Sequence, residues 1–208
     1  MRTAHGNDFA DQYDIVADGS TVAYVADIAG HGLQAGIVMG MVKTASRTAL
    51  SDGDSGCSKE ILSSLMERLN QVLPGVTEAQ MYATLAAFAL NPDGTVFYAL
   101  AGFPPFLIYR RSHGMERISA EQFPLELLPI TGFSAEAARM SPGDLLVVAT
   151  DGILEACNKA GEEFGMEHLE QVVSEHAGDQ LRALGDAILG SVRSFGAKAG
   201  RSDAVAHP

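Results

Sequence analysis

Basic residues are scarce in this sequence. There are 14 lysines and arginines against 26 aspartates and glutamates, a formal net charge of −12. Such a balance argues against nucleic acid and anionic membranes as partners. Cysteine is nearly absent: Cys57 and Cys157 stand far apart, without a CxxC pattern. Both are expected to be reduced thiols of a cytoplasmic protein. No apolar run is long enough to span a bilayer, and the opening "MRTAHGNDFADQ" is too polar for a signal peptide. Internal repeats, low-complexity tracts and flexible linkers are also missing. So are GxSxG, HExxH and Walker-type loops, which removes the common serine-hydrolase, zinc-peptidase and P-loop signatures.

What is present is a chain of 208 residues, 47% apolar and 19% charged, enough for one well-buried domain over 1–208. "FADQYDIVADGSTVAYVADI" predicts two strands around a turn at Ala17–Ser20. Leu33–Leu50 predicts a helix rich in small residues. Ser58 is placed to cap a second helix over Lys59–Leu73, whose Leu62, Leu65, Leu69 and Leu73 recur at helical spacing, with Pro74-Gly75 as its stop. The middle of the chain predicts strands on either side of Asn91–Gly94, a strand in "FLIYRRSHG", and another over Gly143–Thr150. Helices over Met166–Ala177 and Asp179–Phe195 complete an α+β pattern of helices packed on antiparallel sheets.

Two apolar strands share a design. "TVAYVADIAGHG" and "DLLVVATDG" each run into an aspartate, Asp27 and Asp151, with glycine close behind. A carboxylate at a strand end is held rigidly yet can face a cleft, and the glycine lets the backbone turn sharply. Two such ends that met in space would be neutralised by a divalent cation, and Mg²⁺ or Mn²⁺ prefers oxygen ligands of this kind. Asp8 and Asp203 are further candidates. A lone Asp before Gly also serves as a turn or cap, and His31 between two glycines also suits an exposed surface, so residue types alone leave both readings open.

The segments in order resemble the SpoIIE/RsbU branch of the PPM-type, metal-dependent serine/threonine phosphatases. "GNDFAD" resembles that family's GGDFYD, and "VADIAGHGLQAGIVMGMVK" its DVSGHGxxAAxxM block. "MYATLAAFALNPDGTVFYALAGFPPFLIYR" resembles FxTLxxxxLDxxxGxLxYxNAGHPPPLL, and "GDLLVVATDGILEACNKAGEEFG" resembles GDxLLLYTDGVTEAxNxxGExFG. The resemblance implies an αββα sandwich of two antiparallel sheets flanked by helices. It implies two Mn²⁺ or Mg²⁺ ions held by Asp8, Asp27, the backbone carbonyl of Ile28, Asp151 and Asp203, with Asp27 bridging both. A water between the ions would attack the phosphorus of phosphoserine or phosphothreonine in line, with Asp27 and Asp151 as the central acids. The implied partner is a phosphorylated regulatory protein such as a STAS-type anti-sigma-factor antagonist, and a homodimer is compatible with the pattern.

Some positions depart from the family pattern. Ala10 replaces an aromatic, Ala29 a serine and Phe103 a histidine. At the end, "SDAVAHP" stands where the family has DDxT and an apolar strand, with Ala204 and Ala206 at the expected acid and threonine. The first and last strands are thus expected to be short, and an upstream sensory or receiver domain is expected outside this sequence. A second reading follows from the altered end: a catalytically degenerate phosphatase-like domain acting as a protein-binding adaptor in sigma-factor regulation. Retention of Asp8, Asp27 and Asp151 favours the enzyme, because unpaired carboxylates kept without a cation would only destabilise the fold.

Overall fold

The computed structural model describes residues 8–14, 19–29, 32–51, 57–73, 82–120, 123–125 and 132–197. The chain divides into two compact units, one of Met1–Pro105 with Ile118–Asp144, the other of Phe106–Arg117 with Leu145–Pro208.

The first unit is built on a five-stranded sheet. Strands β1 (Asp8–Asp14), β2 (Thr21–Ile28), β3 (Ala83–Leu90), β4 (Thr95–Ala101) and β7 (Glu136–Arg139) lie in the order β1-β2-β3-β4-β7, and each neighbouring pair is antiparallel. Successive side chains of β2 point to opposite faces, and burial alternates strictly along it. Val22, Tyr24, Ala26 and Ile28 are buried, while Thr21, Ala23, Val25 and Asp27 are half-buried on the other face. Helices α1 (Gly32–Ser51) and α2 (Ser58–Val72) supply Val38, Val42, Leu62, Leu65, Met66 and Leu69 to the same core as the buried β2 residues. Alanines 83, 87, 89, 99 and 101 of β3 and β4 also belong to that core, and their short side chains leave room for α2.

The "NPDG" turn between β3 and β4 forms as its residues demand. Gly94 takes a positive φ of 85°, and its N–H donates to the Asn91 carbonyl at 3.0 Å. Asp93 accepts from the Thr95 N–H at 2.8 Å and from the Thr95 hydroxyl at 3.0 Å. These bonds, backbone first, hold the Asp93 carboxyl below its ordinary range. A depressed folded-state pKa stabilises above the ordinary aspartate value, and the contribution is lost as pH falls through the folded one. Asp93→Asn should therefore flatten the melting temperature's dependence on pH over that acid window and nowhere else. An NMR titration placing Asp93 at or above an ordinary aspartate would contradict this.

The second unit has a three-stranded sheet in the order β6-β5-β8, formed by β5 (Phe106–Arg110), β6 (Gly114–Ile118) and β8 (Leu145–Val147). A helical turn, α3 (Asp151–Leu154), follows β8, and then come α4 (Gly165–His176) and α5 (Leu181–Ala197). Leu107, Phe164, Leu169, Val172, Val173, Leu184 and Phe195 form its core. Phe164 and Phe195 meet edge-on at 5.6 Å between centroids, and both rings contact His168.

Three expectations need correction, and one strand is additional. "FLIYRRSHG" is a hairpin, not one strand: it turns at 111–113, where the His113 N–H donates to the Arg110 carbonyl, and continues as β6. The strand expected over Gly143–Thr150 pairs only at Leu145–Val147. Its partner explains the early stop, since continuing the register past Leu107↔Val147 would soon face Pro105 and Pro104, which have no N–H to donate. Ser58 does not cap α2. Cys57 holds the cap position, its N–H bonded to Glu60 Oε2 at 3.2 Å, while the Ser58 hydroxyl donates to Asn91 Oδ1 at 2.8 Å and ties the helix to the β3–β4 turn. The strand β7, with Tyr98 donating to Glu136 at 2.8 Å, was not foreseen, because "EAAR" carries no strand signal. The expected turn at Ala17–Ser20 and the stop at Pro74-Gly75 lie wholly or partly outside the described residues. Both cysteines are exposed free thiols.

Candidate metal centre

The end of the β1–β2 ladder brings two of the candidate acids together. Asp8 on β1 is the register partner of Asp27 on β2. The kind of pair follows from the hydrogen bonding one step further on. The Ala29 N–H donates to the Tyr82 carbonyl at 2.9 Å, so Ala29 turns its backbone groups toward the β3 side. Backbone direction alternates along a strand, so Asp27 also faces β3 and Ile28 faces the β1 side. The neighbouring strand agrees: Ala83, partner of Ile28, spends its N–H and carbonyl on Leu125 instead.

Asp8 and Asp27 therefore form a non-hydrogen-bonded antiparallel pair. This is the closer of the two kinds, with Cα atoms about 4.5 Å apart. Like charges directly opposite each other destabilise a sheet. The carbonyl of Ile28, one residue on, points to the β1 side of the same ladder end. Two carboxylate positions and a carbonyl are thus gathered at one sheet corner. An oxygen-only donor set of this sort suits Mg²⁺ or Mn²⁺. Asp27 is half-buried, on the face of β2 opposite the helix-packed core.

Asp151 belongs to the second unit and is also half-buried. It is not the last residue of a strand but the first of α3, with Thr150 as an extended cap at φ −78° and ψ 168°. Its carbonyl accepts the Glu155 N–H at 2.7 Å, and the Thr150 carbonyl accepts that of Ile153 at 3.1 Å. The backbone of Asp151 is held by this turn, not by a ladder. The residues after it are held by a second turn. The Asn158 side chain accepts the N–H groups of Ala160 at 2.8 Å and Glu162 at 3.1 Å, and the Phe164 N–H returns to the Ala156 carbonyl at 2.9 Å. Asp203 and His31 lie outside the described residues. Among the described residues no three His, Cys, Asp or Glu gather into a group able to hold a metal ion. Phe103, at the position where the family pattern has histidine, is buried.

Comparison with known proteins agrees with this architecture. The SiaA-PP2C domain of Pseudomonas aeruginosa superposes with a TM-score of 0.77 over 95% of this chain and 77% of that one, at 16% identity. The RsbU and RsbW domains of Rv1364c from Mycobacterium tuberculosis superpose with a TM-score of 0.73 at 25% identity, over 93% of this chain and 53% of that one. Two antiparallel sheets with flanking helices, arranged in this order, are the fold of PP2C-type phosphatase domains. Within that class, residues 17–206 match the family described as Stage II sporulation protein E (SpoIIE), and the chain belongs to that family. Phosphoserine phosphatase RsbU of Bacillus subtilis (strain 168) is 25% identical over 169 residues, covering 80% of this chain and 48% of RsbU. The chain thus spans about half the length of that relative. No helix among the described residues is long and apolar enough to cross a membrane.

Proposed function

We propose that this chain is a metal-dependent serine/threonine protein phosphatase domain. The observation that carries the proposal is the backbone register that sets Asp8 opposite Asp27 beside the Ile28 carbonyl, in a chain of the SpoIIE family. Like charges at directly opposite positions of a sheet cost stability unless a cation offsets them. Asp8, Asp27 and the Ile28 carbonyl would hold Mn²⁺ or Mg²⁺, with Asp151 and Asp203 as further ligands. When bound, two such ions supply Lewis acidity to a water and to the phosphoryl oxygens. The chain's own part is rigid placement. Ladder bonds to β3 fix the Asp27 backbone, and a helical turn fixes that of Asp151. The sequence carries no nucleophile motif, which suits direct attack by water on phosphorus. In this reading both compact units form one catalytic domain over 1–208, and the chain acts in the cytoplasm.

The proposed substrate is phosphoserine or phosphothreonine on a regulatory protein, with a STAS-type anti-sigma-factor antagonist as the leading candidate; similarity to RsbU, a phosphoserine phosphatase, supports the phosphoserine part of this reading. The proposal is tested by release of p-nitrophenol from its phosphate ester. Release should require Mn²⁺ or Mg²⁺ and stop on chelation. Mn²⁺ binding without hydrolysis of this ester or of a phosphoserine protein would support the adaptor reading instead.

A thermal measurement tests metal binding without catalysis. A ligand bound only by the folded state stabilises it by mass action, about 2.7 kcal/mol at a hundredfold excess over its dissociation constant. Millimolar Mn²⁺ should raise the melting temperature, and EDTA should reverse the rise. Superimposable melting curves with and without Mn²⁺ would remove the metal centre.

A further inference from the structure

We infer that the exposed first half of α1 is a docking surface for the protein substrate, taking apolar side chains that flank its phosphorylated residue. The inference rests on the phosphatase reading and adds to it the surface that recognises the protein rather than the phosphate. Leu33 and Ile37 stand one turn apart on α1, 82% and 49% exposed. A single exposed leucine is ordinary, but two large apolar side chains on adjoining turns of one helix make a patch. Gly36 and Gly40 are exposed beside them. A methyl group at either would meet nothing within 4 Å, so no neighbouring segment among the described residues requires glycine there. Glycine costs helix stability relative to alanine. What it leaves here is room for the backbone of another molecule close to the helix.

Two observations identify the occupant. The first is place. Leu33 follows Ile28 by five residues, and a chain of that length spans at most about 18 Å. The patch therefore begins within that distance of the sheet corner that carries Asp27 and Ile28. Residues flanking a phosphoserine held at the corner are within reach of it. The second is charge. The chain has 26 acidic residues, yet none falls in the 20 residues of α1. The charged residues of α1 are Lys43 and Arg47, both exposed. With Gly36 and Gly40 they recur at helical spacing along one side of the helix. A phosphorylated protein approaching a chain of net charge −12 meets repulsion over most of the surface. Along α1 it meets apolar contact followed by positive charge, which complements an anionic partner.

Three probes separate docking from chemistry in the presence of Mn²⁺. One is p-nitrophenyl phosphate, which has no flanking residues. The second is a phosphoserine peptide with leucines about five residues to either side, the reach that the spacing allows. The third is the same peptide with those leucines replaced by glycine. The unaltered chain should show a KM about ten- to a hundredfold lower for the leucine peptide than for the glycine peptide, at similar kcat. The double variant Leu33→Gln, Ile37→Gln should lose that difference, while its melting temperature and its hydrolysis of p-nitrophenyl phosphate stay close to those of the unaltered chain. Equal KM values for the two peptides in the unaltered chain, or a preference that survives in the variant, overturn the inference and leave the phosphatase reading in place. A matching loss on p-nitrophenyl phosphate overturns it in favour of a role in the centre itself. An unaltered chain that sediments as a dimer, with a monomeric variant, overturns it in favour of an interface between copies. An unaltered chain that hydrolyses none of the three overturns the phosphatase reading and this inference together.

Discussion

Asp27→Asn should reduce Mn²⁺-dependent phosphatase activity by more than about a thousandfold while the metal-free protein folds at least as well as before. The two halves of this expectation have one cause. Asp27 is the register partner of Asp8 in the closer kind of cross-strand pair, so two acidic positions lie opposite each other at one sheet corner, and ionised carboxylates there would repel. Asparagine has nearly the same shape but no charge. It removes the repulsion, which is worth up to about 1 kcal/mol for such a pair, and weakens the site for a cation by the same stroke. The melting temperature without metal should therefore hold or rise, and the rise on adding Mn²⁺ should shrink. Asp151→Asn should be as damaging to activity with no such gain, because Asp151 opens a helical turn and has no acidic register partner. Full activity in either variant, measured at saturating Mn²⁺, would remove that residue from the site. A metal-free Asp27→Asn protein that melts well below the unaltered chain would show that the carboxylate serves the fold.

The different settings of these two acids mark where sequence reading succeeds and where it stops. The β2 strand was legible because "VAYVA" is a run of small, aromatic and β-branched apolar residues after the turn signal "ADGS". That Asp27 sits at its end followed directly. What could not be read was the partner. Register between β1 and β2 depends on the connection at 15–20, and no local pattern in "FADQYD" says which acid faces Asp27. Asp151 looked like a second strand end because the apolar run "LLVVA" leads almost directly into it. The strand stops at Val147 for a reason remote in sequence, the prolines preceding β5. "ACNKAGEEFG" resembled the family closely, and among the described residues its conspicuous members make turns: Asn158 ties the loop, and Gly161 takes a φ of 80°. A strong motif is thus partly a record of backbone geometry. Thr84 stands at the fixed threonine of the FxTL block, which says nothing of what it faces; the register sets it opposite Asp27.

Gly102→Ala should destabilise the protein by about 2–5 kcal/mol, combining a left-handed backbone of about 1–2 kcal/mol with overpacking of about 1–3 kcal/mol. Gly102 follows β4 directly and has a φ of 60°. A methyl group there would stand 2.4 Å from Pro124 Cγ and 2.8 Å from Pro124 Cα. Rotating a side chain cannot relieve the second contact, so the backbone around Pro124 must move. The next residue, Leu125, is fully buried and exchanges backbone hydrogen bonds with Ala83, at 2.9 Å in one direction and 3.4 Å in the other. Ala83 directly precedes Thr84, so displacement reaches the strand beside Asp27 as well as the core. Two other glycines serve as controls. Gly114 also has a positive φ, 90°, but its added methyl would meet nothing within 4 Å, so Gly114→Ala should cost only the backbone share. Gly40 lies within α1 with open space around it, and Gly40→Ala should stabilise by up to about 1 kcal/mol. Urea unfolding of the three variants should rank them Gly40→Ala above the unaltered chain, then Gly114→Ala, then Gly102→Ala. If Gly102→Ala unfolded alongside Gly114→Ala, the segment at Pro124 would be able to yield without cost, and Leu125 could not be what fixes the β3 strand next to Asp27.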